Sequence, residues 1–354
     1  MLNVLVSTLL AASGWATADT ATIAKGKQVY QEGCVLCHGQ DGKGNPDWES
    51  EVRPVEFSDC GTTAEPSDFW QHIVRKGGRA AGLHSVMPSF GDSYEDDEIA
   101  AVVAYLRTFC ADADRYPPGD LNFRRLLKTG KAFPEQEWVL RATHAPERAS
   151  RETELELAYE NRIGARFQYE LVLPLRAQGG PGRGIGDLEL EAKQVLGFDL
   201  RSLQIVSAGL GLVLPTGSES KDTSSGTVFV SPFAAFGKGF GRGRTFLQAK
   251  LGAEIPTDPD KADTELQYAV GLSHALGMSR RAFVPAVELT GSYNRATRRN
   301  EYSGWLELSK PLNALGHVIA SVGVQVPIRP RSASWRVEAY VLWDFGDGPL
   351  WLGW

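Results

Sequence analysis

Hydrophobic and polar positions change rhythm once along this chain. In the first third, apolar residues recur at helical spacing. Ile23, Val29 and Tyr30 mark a short helix over 23–33, with Gly26 small enough for a close helix crossing. Ile99, Val102, Val103 and Leu106 follow the i, i+3, i+4, i+7 pattern of an amphipathic helix. The run Ser93-Tyr94-Glu95-Asp96 ahead of them resembles a capping box, and Asp97 and Glu98 extend its acidic first turn.

From Glu137 onward the period is two. Leu155, Leu157 and Tyr159 alternate with glutamates, and Phe167, Tyr169, Leu171 and Leu173 alternate with Arg166, Gln168 and Glu170. The rhythm returns through Leu247–Ile255, Leu266–Leu272, Val318–Val326 and Trp335–Trp343. It predicts about twelve strands: 137–143, 153–162, 166–175, 186–196, 201–214, 227–237, 243–255, 264–277, 281–293, 301–310, 316–327 and 333–345.

A soluble β-sandwich and a membrane β-barrel both fit alternation. Three features favour the barrel. The strands are longer than those of a globular sheet. Polar connections such as PTGSESKDTSSG, PTDPDKAD and NRATRRN alternate with tighter ones such as NRIG, GFD and PLNALG. Aromatics gather near strand ends, and the chain finishes on Trp354. An even strand count returns both barrel ends to the periplasmic side. Leu171, Leu251, Val270 and Val322 should face lipid, and Glu170, Lys250 and Gln267 the lumen. Inward charges are mixed (Glu154, Glu170, Glu189, Glu191, Glu254 and Glu338 against Arg166, Lys193, Lys250 and Arg336). They would either bridge across and fill the lumen or line a narrow polar channel.

The candidate chemistry lies in the helical third. Cys34-Val35-Leu36-Cys37-His38 is a C-x-x-C-H run. Its thiols are spaced to form thioether bonds to the vinyl groups of one haem c, and His38 follows as an iron ligand. A zinc site would need a second ligand pair at similar spacing, which Cys60 and Cys110 do not provide. A redox dithiol would need a βαβ setting. For the sixth ligand, Met87-Pro88 stands between this motif and the last helix, in a chain of 3 methionines. A thioether stabilises ferrous iron and raises the potential relative to two histidines. His84 is the rival ligand. A packing role for Met87 is the other alternative, and His72 reads as a helix-surface residue.

Residues 22–110 resemble a class I cytochrome c domain, through the GCVLCHG run, the MPSFGD run and the helix EDDEIAAVVAYLRTF. The resemblance implies an all-α cytochrome fold, His38 and Met87 as axial ligands, and single-electron transfer at an exposed haem edge without substrate chemistry at the iron. Cys60 and Cys110 are additions to that pattern. A disulfide is their simplest account; closing a loop of about fifty residues contributes about 4 kcal/mol in the chain-entropy picture. Two buried free thiols are the alternative.

The expected organisation is a signal peptide over 1–18 ending in Ala16-Thr17-Ala18, a cytochrome c domain over 19–111, a linker over 112–135 and an outer-membrane barrel over 136–354. A cytochrome of about ninety residues exceeds 30 Å across, so it should not fit inside a barrel of about twelve strands. It belongs in the periplasm, below the barrel mouth. Expected partners are periplasmic redox proteins and outer-membrane lipid, with a small solute or metal ion possible in the barrel. The net charge of −6 speaks against nucleic acid. Two functions remain open: an electron carrier tethered to the outer membrane, or a channel whose haem domain oxidises, reduces or senses the cargo.

Overall fold

The computed structural model describes residues 20–50, 52–145, 152–178, 183–241, 244–277, 281–330, 335–346 and 348–351. The expected signal peptide and Trp354 lie outside these residues. The chain divides into two compact units, one that holds the helices up to Asn122 and also takes in Phe198–Leu203, and a second made of Phe123–Gly197 and Gln204–Trp351.

In the helical unit, α1 (Thr20–Gly33) crosses α4 (Asp96–Leu106), with α2 (Val35–His38) and α3 (Ser67–Lys76) between them in sequence. The crossing is tight because Gly26 has no side chain; a Cβ there would run into the Ala101 carbonyl. Next to it, Tyr30 packs edge-on to Tyr105 at 5.5 Å and donates its hydroxyl to the Gly39 carbonyl at 2.7 Å. Ile99, Val102, Val103 and Leu106 are all buried. The capping box is real but sits two residues further on than Ser93: Glu95 is the N-cap and Glu98 its reciprocal partner. Beyond α4, the buried Arg107 donates to the carbonyls of Thr63 and Glu65 and to Asp120, and stacks over Trp70. Cys60 and Cys110 form a disulfide across the same region, with Cα atoms 5.0 Å apart.

The second unit is one antiparallel sheet. Its strands are β1 (Glu137–Ala145), β2 (Glu152–Ile163), β3 (Phe167–Gln178), the short β4 (Arg183–Ile185), β5 (Leu188–Asp199), β6 (Gln204–Leu214) and β7 (Phe229–Phe240). They continue as β8 (Thr245–Pro256), β9 (Glu265–His274), β10 (Val284–Asn294), β11 (Arg299–Pro311), β12 (Val318–Arg329) and β13 (Arg336–Asp344). Long strands pair with their sequence neighbours, and β1 pairs with β13 through Trp138↔Trp343 and Val139↔Leu342, so twelve long strands close a barrel. Each matches a predicted strand, with ends shifted by a few residues. The unpredicted β4 hangs on β3 at the barrel rim. One expected polar loop, NRATRRN, is instead a tight connection, because Asn294 still pairs with Arg299.

Period-two alternation sorts the residues between two faces. Leu171, Leu251, Val270 and Val322 point outward and are exposed, together with Leu306 and Val341. A closed barrel satisfies every main-chain group within its own ladder, so an apolar exterior can face hydrocarbon. Trp138, Tyr159 and Phe345 cluster at the end where β1 begins, as an aromatic girdle does at a membrane interface. No helix among the described residues is long and apolar enough to cross a membrane, which says nothing of a β-barrel, since barrels cross with strands.

The largest difference from expectation concerns residues 123–135, read from sequence as linker. They belong to the barrel unit and pack against its inner wall. Phe123, Leu126, Leu127 and Phe133 are almost fully buried there.

Candidate haem centre and barrel lumen

The C-x-x-C-H motif folds as one helical turn. Cys34 leads into α2, and its carbonyl accepts the His38 N–H at 2.9 Å and the Cys37 N–H at 3.2 Å. Both thiols are free and only partly covered. Burial pushes the Cys34 thiol up to about 11, with Cys37 beside it adding to the rise. The His38 ring stacks on Phe57 at 4.7 Å. Burial holds its imidazole below the ordinary histidine range, so it stays neutral, as a metal ligand must; the Val55 backbone acts in the opposite direction. Its Nδ1 is buried without a hydrogen bond of full geometry. Leu36, between the two cysteines, is 70% exposed, so this turn stands at the surface of its unit.

Met87 lies on a loop fitted to the end of α3. Its carbonyl accepts the Gly78 N–H at 3.0 Å. A Cβ on Gly78 would lie 3.2 Å from the Met87 Cβ, and Gly77 has φ +80, so this glycine pair makes room for the loop. Further bonds run from Phe90 N to the Val74 carbonyl and from the Ser89 hydroxyl to the Arg75 carbonyl. His84 is exposed, and its Nδ1 accepts the Val86 N–H at 3.1 Å, which commits it to a local turn. His72 is exposed on α3. Two thiols on one turn, a half-buried imidazole that burial keeps neutral and a thioether on a braced loop form a donor set that fits haem c.

The lumen carries the second constellation, which the sequence reading did not foresee. Residues 123–135 run inside the barrel in extended and bent conformation. Wall side chains bind their main chain. Leu127 N–H donates to Glu307, Thr129 N–H to Glu288, and Glu135 N–H to Gln168 at 2.6 Å. Lys193, Gln248 and Tyr340 in turn donate to the carbonyls of Lys131, Arg124 and Arg125. Cations of the segment meet wall carboxylates: Arg125 bridges Glu137 at 3.0 Å, and Lys128 pairs with Glu338. Three glycines within strands receive its side chains. Gly237 faces Phe123, Gly271 faces Leu126, and Gly323 faces Leu127. Strand glycines of this kind mark close approach of another chain segment, and they were the signal available in the sequence.

The remaining lumen is a cavity of about 970 Å³. Glu170, Glu189, Glu254 and Gln267 line it, opposite Arg329 and Arg336. The inward charges divide into two groups. Glu191–Lys250, Glu154–Arg176 and Glu338–Arg141 bridge, whereas Glu170, Glu189 and Glu254 face open space.

A helical unit bearing C-x-x-C-H, continued into a closed antiparallel barrel with an apolar exterior, defines a cytochrome–barrel fusion of the outer-membrane type. Residues 21–106 match the family of cytochrome c oxidase, cbb3-type, subunit III, so the N-terminal unit carries a cytochrome c domain, which implies a haem. No curated protein matches the chain in sequence. Among solved structures, the barrel is similar to an outer membrane channel from Pseudomonas putida F1 (14% identity, 62% of this chain and 98% of that one, TM-score 0.48). It is also similar to the KdgM porin in complex with disordered oligogalacturonate (12%, 59% and 99%, 0.44). A third likeness is to outer membrane phospholipase A from Escherichia coli (13%, 60% and 93%, 0.38).

Proposed function

We propose that this protein is a mono-haem c-type cytochrome anchored in the outer membrane, exchanging single electrons with soluble redox proteins on the periplasmic side. The observation that carries the reading is the motif turn, with Cys34 and Cys37 free on one helical turn and the half-buried His38 following them, its imidazole held below the ordinary histidine range. In this reading Cys34 and Cys37 would hold the haem through thioether bonds, and His38 and Met87 would supply its iron ligands. Haem bound in this way supplies a reversible one-electron couple. The chain's own residues do the rest. Gly77 and Gly78 hold the Met87 loop in place, and Phe57 fixes the plane of the His38 ring. The Cys60–Cys110 disulfide and Arg107 brace the surrounding fold, which would limit movement around a bound haem between its two oxidation states.

The alternative, a barrel that handles a small solute or metal ion, finds support in the 970 Å³ cavity and its unbridged carboxylates. The segment packed below that cavity speaks against free passage. A redox titration in proteoliposomes, with the oxidant confined to one side, separates the two readings. Electron exchange with an impermeant periplasmic-side reagent, independent of any solute in the lumen, supports the carrier. Oxidation that requires a solute entering from the opposite side supports the channel.

A further inference from the structure

We propose that residues 123–135 form a latched plug, which seals the barrel at its short-turn end and leaves the lumen a blind chamber open towards the long loops. The proposal rests on reading the second unit as a membrane barrel. Its first support is position. The plug's partners Gln168, Lys193 and Phe246 lie beside the short turns of the barrel. The cavity is instead lined by Glu254, Gln267 and Arg329, beside the connections at the other end. Plug and cavity thus share the lumen end to end.

A second support is completeness. Contacts of the plug follow the wall around, from Phe123 against Gly237 on β7, through Leu126 against Gly271 on β9, to Leu127 against Gly323 on β12. They continue past Tyr340 on β13 and Gln168 on β3 to Lys193 on β5. Leu126, Leu127, Thr129 and Glu135 retain 2% exposure or less, so little water separates plug from wall.

The third support is the way it is held. The plug is not a strand of the sheet. Two wall carboxylates, Glu288 and Glu307, grip its main-chain N–H groups at residues 127–129. Hydrogen bonds to charged groups are strong in a dry setting, yet a handful of them can be released without breaking the barrel ladder. Seated, the plug blocks flow; unlatched, it exposes a pore.

The test is ion conductance of the full-length holo-protein in planar lipid bilayers. Wild type should insert without stepwise conductance. Gly271→Leu with Gly323→Leu fills the two sockets and should give discrete steps. Glu288→Gln with Glu307→Gln, which weakens the latch without adding bulk, should do the same and serves if the first pair does not insert. Leu127→Cys with Gly323→Cys, oxidised, pins the plug and should stay silent. Steps from the pinned protein would overturn the proposal. So would silence from an inserted variant whose Lys128 and Lys131 have become open to trypsin. A wild-type protein that forms no heat-modifiable, membrane-inserted species would instead refute the barrel reading itself.

Discussion

Glu288 accepts both the backbone N–H and the hydroxyl of Thr129, each at 2.7 Å. One wall carboxylate therefore fixes one plug residue twice. Thr129→Val keeps the shape and the main-chain bond but leaves the carboxylate short of one donor. The expected cost is about 1.5–3 kcal/mol, the range for a hydrogen bond to a charged group. It should appear as a lower midpoint for the heat-induced mobility shift of the barrel on gels. Thr129→Ser should restore most of it.

In the haem unit, Met87→Ala should abolish the methionine-to-iron charge-transfer band and lower the reduction potential, since a thioether favours ferrous iron. His84→Ala should change neither, because the His84 ring is occupied with the Val86 N–H. A band that survives in Met87→Ala and vanishes in His84→Ala would reverse the assignment.

Cys110→Ser opens a disulfide that spans 50 residues of chain. The expected loss is about 2–5 kcal/mol from the stability of the helical unit, largely through a less restricted unfolded chain. Thermal unfolding followed at the haem absorbance measures it, and mass spectrometry without reduction should show the two cysteine peptides joined in wild type. Readily alkylated Cys60 and Cys110 in the native protein would contradict the bond.

On the barrel, Val270 faces outward, whereas Gln267 lines the lumen. Arginine at position 270, near mid-strand, should cost about 2–4 kcal/mol, and arginine at 267 far less. Denaturant titration of the protein refolded into lipid vesicles reads both. Equal tolerance would mean that hydrocarbon does not bathe the outer face.

The strands were legible because each carries its own period-two signal, and a closed barrel asks nothing else of a strand but its neighbours. The α1–α4 crossing was legible for a similar reason, since Gly26 stands among larger residues at a spacing that points one way. The plug was not legible in that manner. Phe123, Leu126, Leu127 and Phe133 follow neither period, and what orders them is far off in sequence, at Gly271, Glu288, Glu307 and Gly323. Only those glycines, out of place in strand interiors, hinted that something approaches the wall there. The three-residue β4, set beside a Gly-Pro stretch, was too short to carry any alternation. Ser93 misled because the true cap, Glu95, uses a carboxylate where a hydroxyl was expected.

The plug leads straight into the barrel's first strand. Gln136 offers its carbonyl to the Phe345 N–H at 2.9 Å, and the next residue, Glu137, pairs with Asp344 in the seam where the last strand meets the first. The chain thus enters the barrel interior through the stitch that joins the barrel's first and last strands. A barrel of this design cannot settle the order of its wall independently of its contents: any lesion at Gln136, Glu137 or Asp344 loosens the seam and the entry of the plug together. Misassembly should therefore produce vessels that are both unsealed and empty, rather than sound cylinders that lack a filling.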